Sequence, residues 1–115
     1  MFDSFKLDVS KINLICGGTG IAPFMKIIDS IHCNREQDDT QIKLFYANKS
    51  VQDILLHRKL ERIASGDKDI EVYYVVSKAQ EKESPVNVAK IGRIDEAFIA
   101  EHAFQAAPDC VAFLC

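Results

Sequence analysis

Apolar residues recur at two spacings in this chain, and the two alternate. Runs at 11–16, 42–47, 70–76 and 110–115 are short and dense in aliphatic and aromatic residues, which predicts strands. Between the first two, Phe24, Ile27, Ile28 and Ile31 recur at helical spacing within 22–33, while Lys26, Asp29 and Ser30 face away. A second helix is expected to start within 48–56. Ser50 would cap it, with Asp53 three residues on in a near capping box. Its buried face would be Ile54, Leu55, Leu60 and Ile63, and Gly66 would end it. Residues 94–102 predict a short third helix, capped by Asp95, with Phe98 and Ile99 facing inward. The stretch 77–92 carries Pro85, shows no clear period and is expected to be a loop. Strand alternating with helix implies an α/β fold with parallel pairing and right-handed crossovers.

Composition narrows the class without naming a function. At 115 residues and 48% hydrophobic, the chain is expected to form one compact domain. Its formal charge of −3 is spread among interspersed acids and bases, so no basic face marks a nucleic-acid partner. No apolar run approaches the roughly 20 residues of a membrane helix, and no signal peptide opens the sequence. Cys16, Cys33, Cys110 and Cys115 form no C-x-x-C pair, and His32, His57 and His102 are scattered, so no metal site is expected. Reduced thiols in a cytosolic protein fit this pattern, with Cys16, Cys33 and Cys110 assigned to the core.

Chemistry concentrates where the first strand meets the first helix. Gly17-Gly18-Thr19-Gly20-Ile21-Ala22-Pro23 is a glycine turn opening a helix. Such a turn aims bare N–H groups outward beside the positive end of the helix dipole, an arrangement suited to pyrophosphate. Gly18 and Gly20 leave room for close backbone approach, and Pro23 suits the first helical turn. A tight connecting turn is the alternative. The loop is not a P-loop, because Phe24-Met25-Lys26 stands where Lys-Ser or Lys-Thr would be needed. Nor is it the dehydrogenase fingerprint, whose third glycine is replaced by Pro23.

G-x-G-x-x-P preceded by glycine and followed by Phe24-Met25 resembles the pyridine-nucleotide motif of the ferredoxin reductase superfamily. The nearest branch is that of cytochrome b5 reductase and nitrate reductase-like flavoproteins. Ala47-Asn48 followed by Ser50 and Asp53-Ile54-Leu55-Leu56 resembles that branch's second signature. The resemblance runs from about Leu7 to Cys115. It implies a three-layer Rossmann-like parallel sheet, the NAD(P)H-binding domain of such reductases, truncated at the C-terminus. Residues 11–115 would form that incomplete domain, and residues 1–10 a linker remnant from a missing FAD-binding barrel. The implied partners are that barrel and a haem acceptor such as cytochrome b5, with no nucleic acid. The implied cofactors are NADH or NADPH, with FAD bound mainly by the absent domain. A non-catalytic nucleotide- or partner-binding module keeping the fold is the alternative. The expected location is cytoplasmic, or the cytosolic face of a membrane through a segment outside the chain.

In an open parallel sheet, ligands bind beyond the carboxyl ends of the strands. That edge would gather Gly17, Gly18, Thr19, Gly20, Asn48, Ser77, Lys78 and Cys115. Ser77 and Lys78 read either as a solvated turn or as the holders of the adenosine ribose. NADH-preferring members of the branch tend to carry aspartate where Ser77 stands, whereas Ser-Lys is closer to the Ser-Arg pair of NADPH-using relatives, so both nucleotides stay open. Cys115 is either strand-end packing or the counterpart of the family's nicotinamide-side cysteine, whose following Gly-Pro this sequence lacks. The resemblance gives Thr19 and Cys115 as the catalytic candidates.

Overall fold

In a computed structural model of the chain, residues 10–78 and 88–114 are described. Five strands form one sheet: β1 (Lys11–Gly17), β2 (Gln41–Asn48), β3 (Ile70–Val76), β4 (Val88–Ile91) and β5 (Cys110–Leu114). Their order is β4-β3-β2-β1-β5, and every pairing is parallel. Helices α1 (Ile21–Cys33) and α2 (His57–Gly66) alternate with the first strands, and α3 (Glu96–His102) precedes β5. The architecture is the expected three-layer Rossmann-like one.

Alternation along the strands divides the core in two. Ile12, Leu14 and Cys16 of β1 point to one face, with Ile42, Leu44 and Tyr46 of β2 and Tyr74 and Val76 of β3. There they meet Phe24, Met25, Ile28 and Ile31 of α1 and Leu60 and Ile63 of α2. Phe45 and Val75 point to the other face and meet Phe98 of α3. Phe45 stacks on Tyr73 with centroids 5.0 Å apart, and Phe98 meets Phe45 edge-on at 5.9 Å, both favourable ring geometries. Asp95 caps α3 as its sequence position predicts, accepting the Phe98 N–H at 2.9 Å.

Three elements depart from expectation. The second helix does not begin at Ser50. Residues Val51–Asp53 form only a 3-10 turn, and the Ser50 hydroxyl donates to the Asp53 carboxylate at 2.9 Å instead of capping backbone. The helix starts at His57, after Leu56 has turned into the left-handed region at φ 62°. The reason lies in β2. The Leu55 N–H donates to the Tyr46 hydroxyl at 3.1 Å, a bond it would otherwise make to the carbonyl of Val51 in a continuing helix. Part of the expected loop 77–92 is strand β4. Four residues are too short a run to show a period, and Ala89 adds a bulge between the pairs Tyr74↔Val88 and Val75↔Lys90. Cys33, assigned to the core, is exposed at the last position of α1, whereas Cys16 is buried and Cys110 half-buried.

Several polar groups inside the fold are paired at its joints. Asn13, in the middle of β1, accepts the Phe104 N–H at 3.1 Å and donates to the Phe104 carbonyl at 3.2 Å, fixing the approach to β5. Asp67, buried after α2, accepts from Arg35 Nε at 2.8 Å and pairs with His32 Nδ1 at 3.0 Å. Arg35 also donates to the carbonyls of Asp38 and Thr40, at 2.9 and 2.7 Å. Burial acts to raise the Asp67 carboxyl, but the bonds from His32 and Arg35 outweigh it and hold the group below its ordinary range. A carboxylate depressed in the folded state contributes stability above its unfolded value, near about pH 4, and loses that contribution as pH falls through the folded value. Asp67→Ala should therefore cost about 2–3 kcal/mol at pH 7 in urea unfolding. The gap from the unsubstituted chain should narrow below about pH 4. A gap that stays constant into acid would remove the charge from this account.

Candidate nucleotide site

All five strands end, by parallel pairing, on one edge of the sheet. There the ends of β1 to β4 enclose an open crevice of about 680 Å³, lined by Gly18, Thr19, Asn48, Ser77, Arg93 and Leu55 among others. That volume lies within the range of small-molecule sites. The crevice lies beside the point where strand order reverses, since β1 pairs with β2 on one side and β5 on the other.

The glycine loop forms the first wall. Gly17 ends β1, and an added Cβ there would sit 3.3 Å from the Ala47 carbonyl, so β2 crowds it. Gly18 stands at φ +54°, the left-handed region that favours glycine, and nothing lies within 4 Å of where its Cβ would project. That open side is what close approach of a phosphate needs. Gly18–Gly20 form one 3-10 turn leading directly into α1. Gly20 has ordinary helical geometry as the cap of α1, and Pro23 is the exposed third residue of that helix; neither lines the crevice.

A ladder of main-chain bonds fixes the rest of the rim. The Ser77 N–H donates to the Asn48 carbonyl at 3.1 Å, and the Lys78 N–H to the Lys49 carbonyl at 2.9 Å. The Gly92 N–H donates to the Val76 carbonyl at 2.7 Å, so the end of β4 is tied to that of β3. Asn48 Nδ2 is buried beside Tyr46 and, among the described residues, makes no hydrogen bond of normal geometry. Ser77 lines the crevice with its hydroxyl 3.3 Å from the Lys49 carbonyl, while Lys78 is exposed at the rim. Thr19, Asn48 and Ser77 are thus brought together, with Lys78 at their margin. Cys115 lies outside the described residues; Leu114, just before it, pairs with Ile15 of β1.

Lys49, Asp53, Leu55, Gly92, Arg93 and Ile94 also line this crevice and were not among the expected site residues. Arg93 matters most, because it adds a cationic residue to a crevice that Ser77 also lines. The signal was the glycine before it: Gly92 adopts φ +136° directly after β4, a turn that delivers the next residue to the sheet edge. Among the described residues no group of His, Cys, Asp and Glu is arranged to hold a metal ion. No helix among them is long and apolar enough to cross a membrane.

Comparison with known proteins agrees with this geometry. Residues 14–115 match the family model of the oxidoreductase NAD-binding domain. Maize nitrate reductase [NADH] 1 is 34% identical over 107 residues, which are 92% of this chain and 17% of that protein. NADH-cytochrome b5 reductase 2 of Candida albicans is 37% identical over 106 residues, 91% of this chain and 34% of that protein. The cytochrome b5 reductase domain of Ulva prolifera nitrate reductase has the same fold, with a TM-score of 0.83 and 31% identity over 93% of this chain and 38% of that structure. The chain spans about a third or less of these two relatives' length. With its glycine turn, parallel sheet and edge crevice, it belongs to the oxidoreductase NAD-binding domain family.

Proposed function

We propose that this chain is the pyridine-nucleotide-binding part of an FAD-dependent oxidoreductase, which passes hydride from NADH or NADPH to flavin and electrons onward to a haem acceptor such as cytochrome b5. The observation that carries the reading is the Gly18 turn: a left-handed glycine, open where a Cβ would stand, at the head of α1 and on the wall of the sheet-edge crevice. The family match and relatives named as NADH reductases support it. We place such a reductase in the cytoplasm or on the cytosolic face of a membrane.

Within this reading each residue has a separate task. Backbone N–H groups of the Gly17–Gly20 turn and the head of α1 hold the pyrophosphate. The Thr19 hydroxyl orients the nicotinamide side, and Cys115 is proposed for the same task. Asn48 closes the floor. Ser77, Lys78 and Arg93 receive the adenosine ribose, and the two cations favour a 2′-phosphate through charge-assisted bonds. The reduced nicotinamide supplies the hydride, and the protein contributes position. In the same reading flavin is assigned to a separate barrel domain.

The chain should be titrated with NADH and NADPH, alone and with a cytochrome b5 reductase-type FAD-binding domain supplied. Binding to the chain, with flavin reduction only when that domain is present, is the expected result. Binding without flavin reduction favours the second reading, a nucleotide-binding module without catalysis. Absence of nucleotide binding overturns both. Thr19→Val should leave the fold intact and slow hydride transfer by about tenfold, the scale of one hydrogen bond. Unchanged turnover removes Thr19 from the mechanism. Arg93→Ala should weaken NADPH about tenfold or more while sparing NADH, and Ser77→Asp should move preference the same way. A NADPH/NADH affinity ratio that moves in neither variant refutes the ribose assignment.

A further inference from the structure

We infer that Tyr46, a buried residue outside the crevice lining, is a positioning residue that aims the glycine turn at the nucleotide. This inference rests on the nucleotide reading above. Tyr46 is 0% exposed, yet its hydroxyl accepts the Leu55 N–H at 3.1 Å and faces two carbonyls, Leu55 at 3.1 Å and Gly18 at 3.3 Å. Gly18 and Leu55 both line the crevice, so one hydroxyl joins two of its walls from beneath.

The consequence follows from peptide geometry. The Gly18–Thr19 peptide is trans, so its C=O and N–H point in opposite directions. With the Gly18 carbonyl turned down to Tyr46, the Thr19 N–H is turned away from the core, toward the side where an anion is received. The same hydroxyl keeps Leu55 out of helix and holds it at the rim. Burial pushes the Tyr46 phenol up, so it remains a neutral donor and acceptor at any physiological pH.

Tyr74 supplies an internal control. It lies on the same face with its ring 6.3 Å from that of Tyr46, it is buried, and its hydroxyl has no hydrogen-bond partner among the described residues. Tyr46→Phe should weaken NADH and NADPH alike, by about three- to tenfold, the range of one hydrogen bond. Tyr74→Phe should leave both affinities within twofold. Isothermal titration of the three chains with each nucleotide reads this directly. Equal affinities for Tyr46→Phe and the unsubstituted chain overturn the inference, and so does an equal loss in both variants, which marks generic packing. An unsubstituted chain that binds neither nucleotide overturns the nucleotide reading itself. If Tyr46→Phe does not fold, amide exchange in the unsubstituted chain decides. Bound NADH should slow exchange at Thr19 and Leu55 together, and protection at Thr19 with none at Leu55 refutes the coupling.

Discussion

Parallel pairing on both sides of β1 is the constraint from which the rest of the structure follows. A parallel neighbour cannot be reached by a hairpin, so each connection must carry the chain back across the sheet. Helices α1 and α2 do this on one face and α3 on the other, and the three layers are the result. All five strands then release their carboxyl ends on one edge. Because β1 lies between β2 and β5, its end opens at the reversal of strand order. A glycine turn at that place faces a gap; the same turn at the end of an outer strand would face solvent.

Buried polar groups make the edge definite in shape. Hydrophobic burial drives the collapse but has no direction, whereas each hydrogen bond made inside the core selects one register. Asn13 selects the approach to β5, Asp67 joins the loop after α1 to the start of β3, and Tyr46 joins the first two connections at the crevice. Each lies at a joint between elements. Breaking any one leaves a buried group unsatisfied, which costs more than the bond itself contributes.

How far the sequence could be read follows from this division. Strands β1, β2, β3 and β5 and helix α1 were legible because their apolar spacing is the same quantity that burial selects. The Asp95 cap was legible because its bond is local, three residues long. Leu55 and Leu56 were assigned to a helix because nothing nearby in sequence forbids one; the group that forbids it, the Tyr46 hydroxyl, arrives from β2. Arg93 was hidden by the brevity of β4, whose four residues and bulge carry no period. At the crevice, Gly18, Thr19, Asn48 and Ser77 were legible because each follows the carboxyl end of a strand, whereas Arg93 follows a strand too short to read.

The two sides of the crevice are built from unlike materials, and that has consequences for recognition. The wall from β1 and β2 is backbone and glycine, held from below by a buried tyrosine and flanked by strands with neighbours on both sides. In the proposed reading, main-chain N–H groups there receive what every dinucleotide shares, its phosphates. The wall from β3 and β4 is made of side chains, Ser77 and Arg93, with Lys78 at its margin, and its outer strand is a short, bulged edge. Arg93, just past the edge strand β4, can be exchanged with little effect on packing, since that strand has one neighbour. In the proposed reading, the feature that distinguishes one nucleotide from the other, a phosphate on the ribose, is met partly by this exchangeable residue, and the shared feature by the turn after β1. On that reading anchoring and discrimination are separated across a single crevice, and preference between nucleotides can shift without disturbing the turn proposed to bind either.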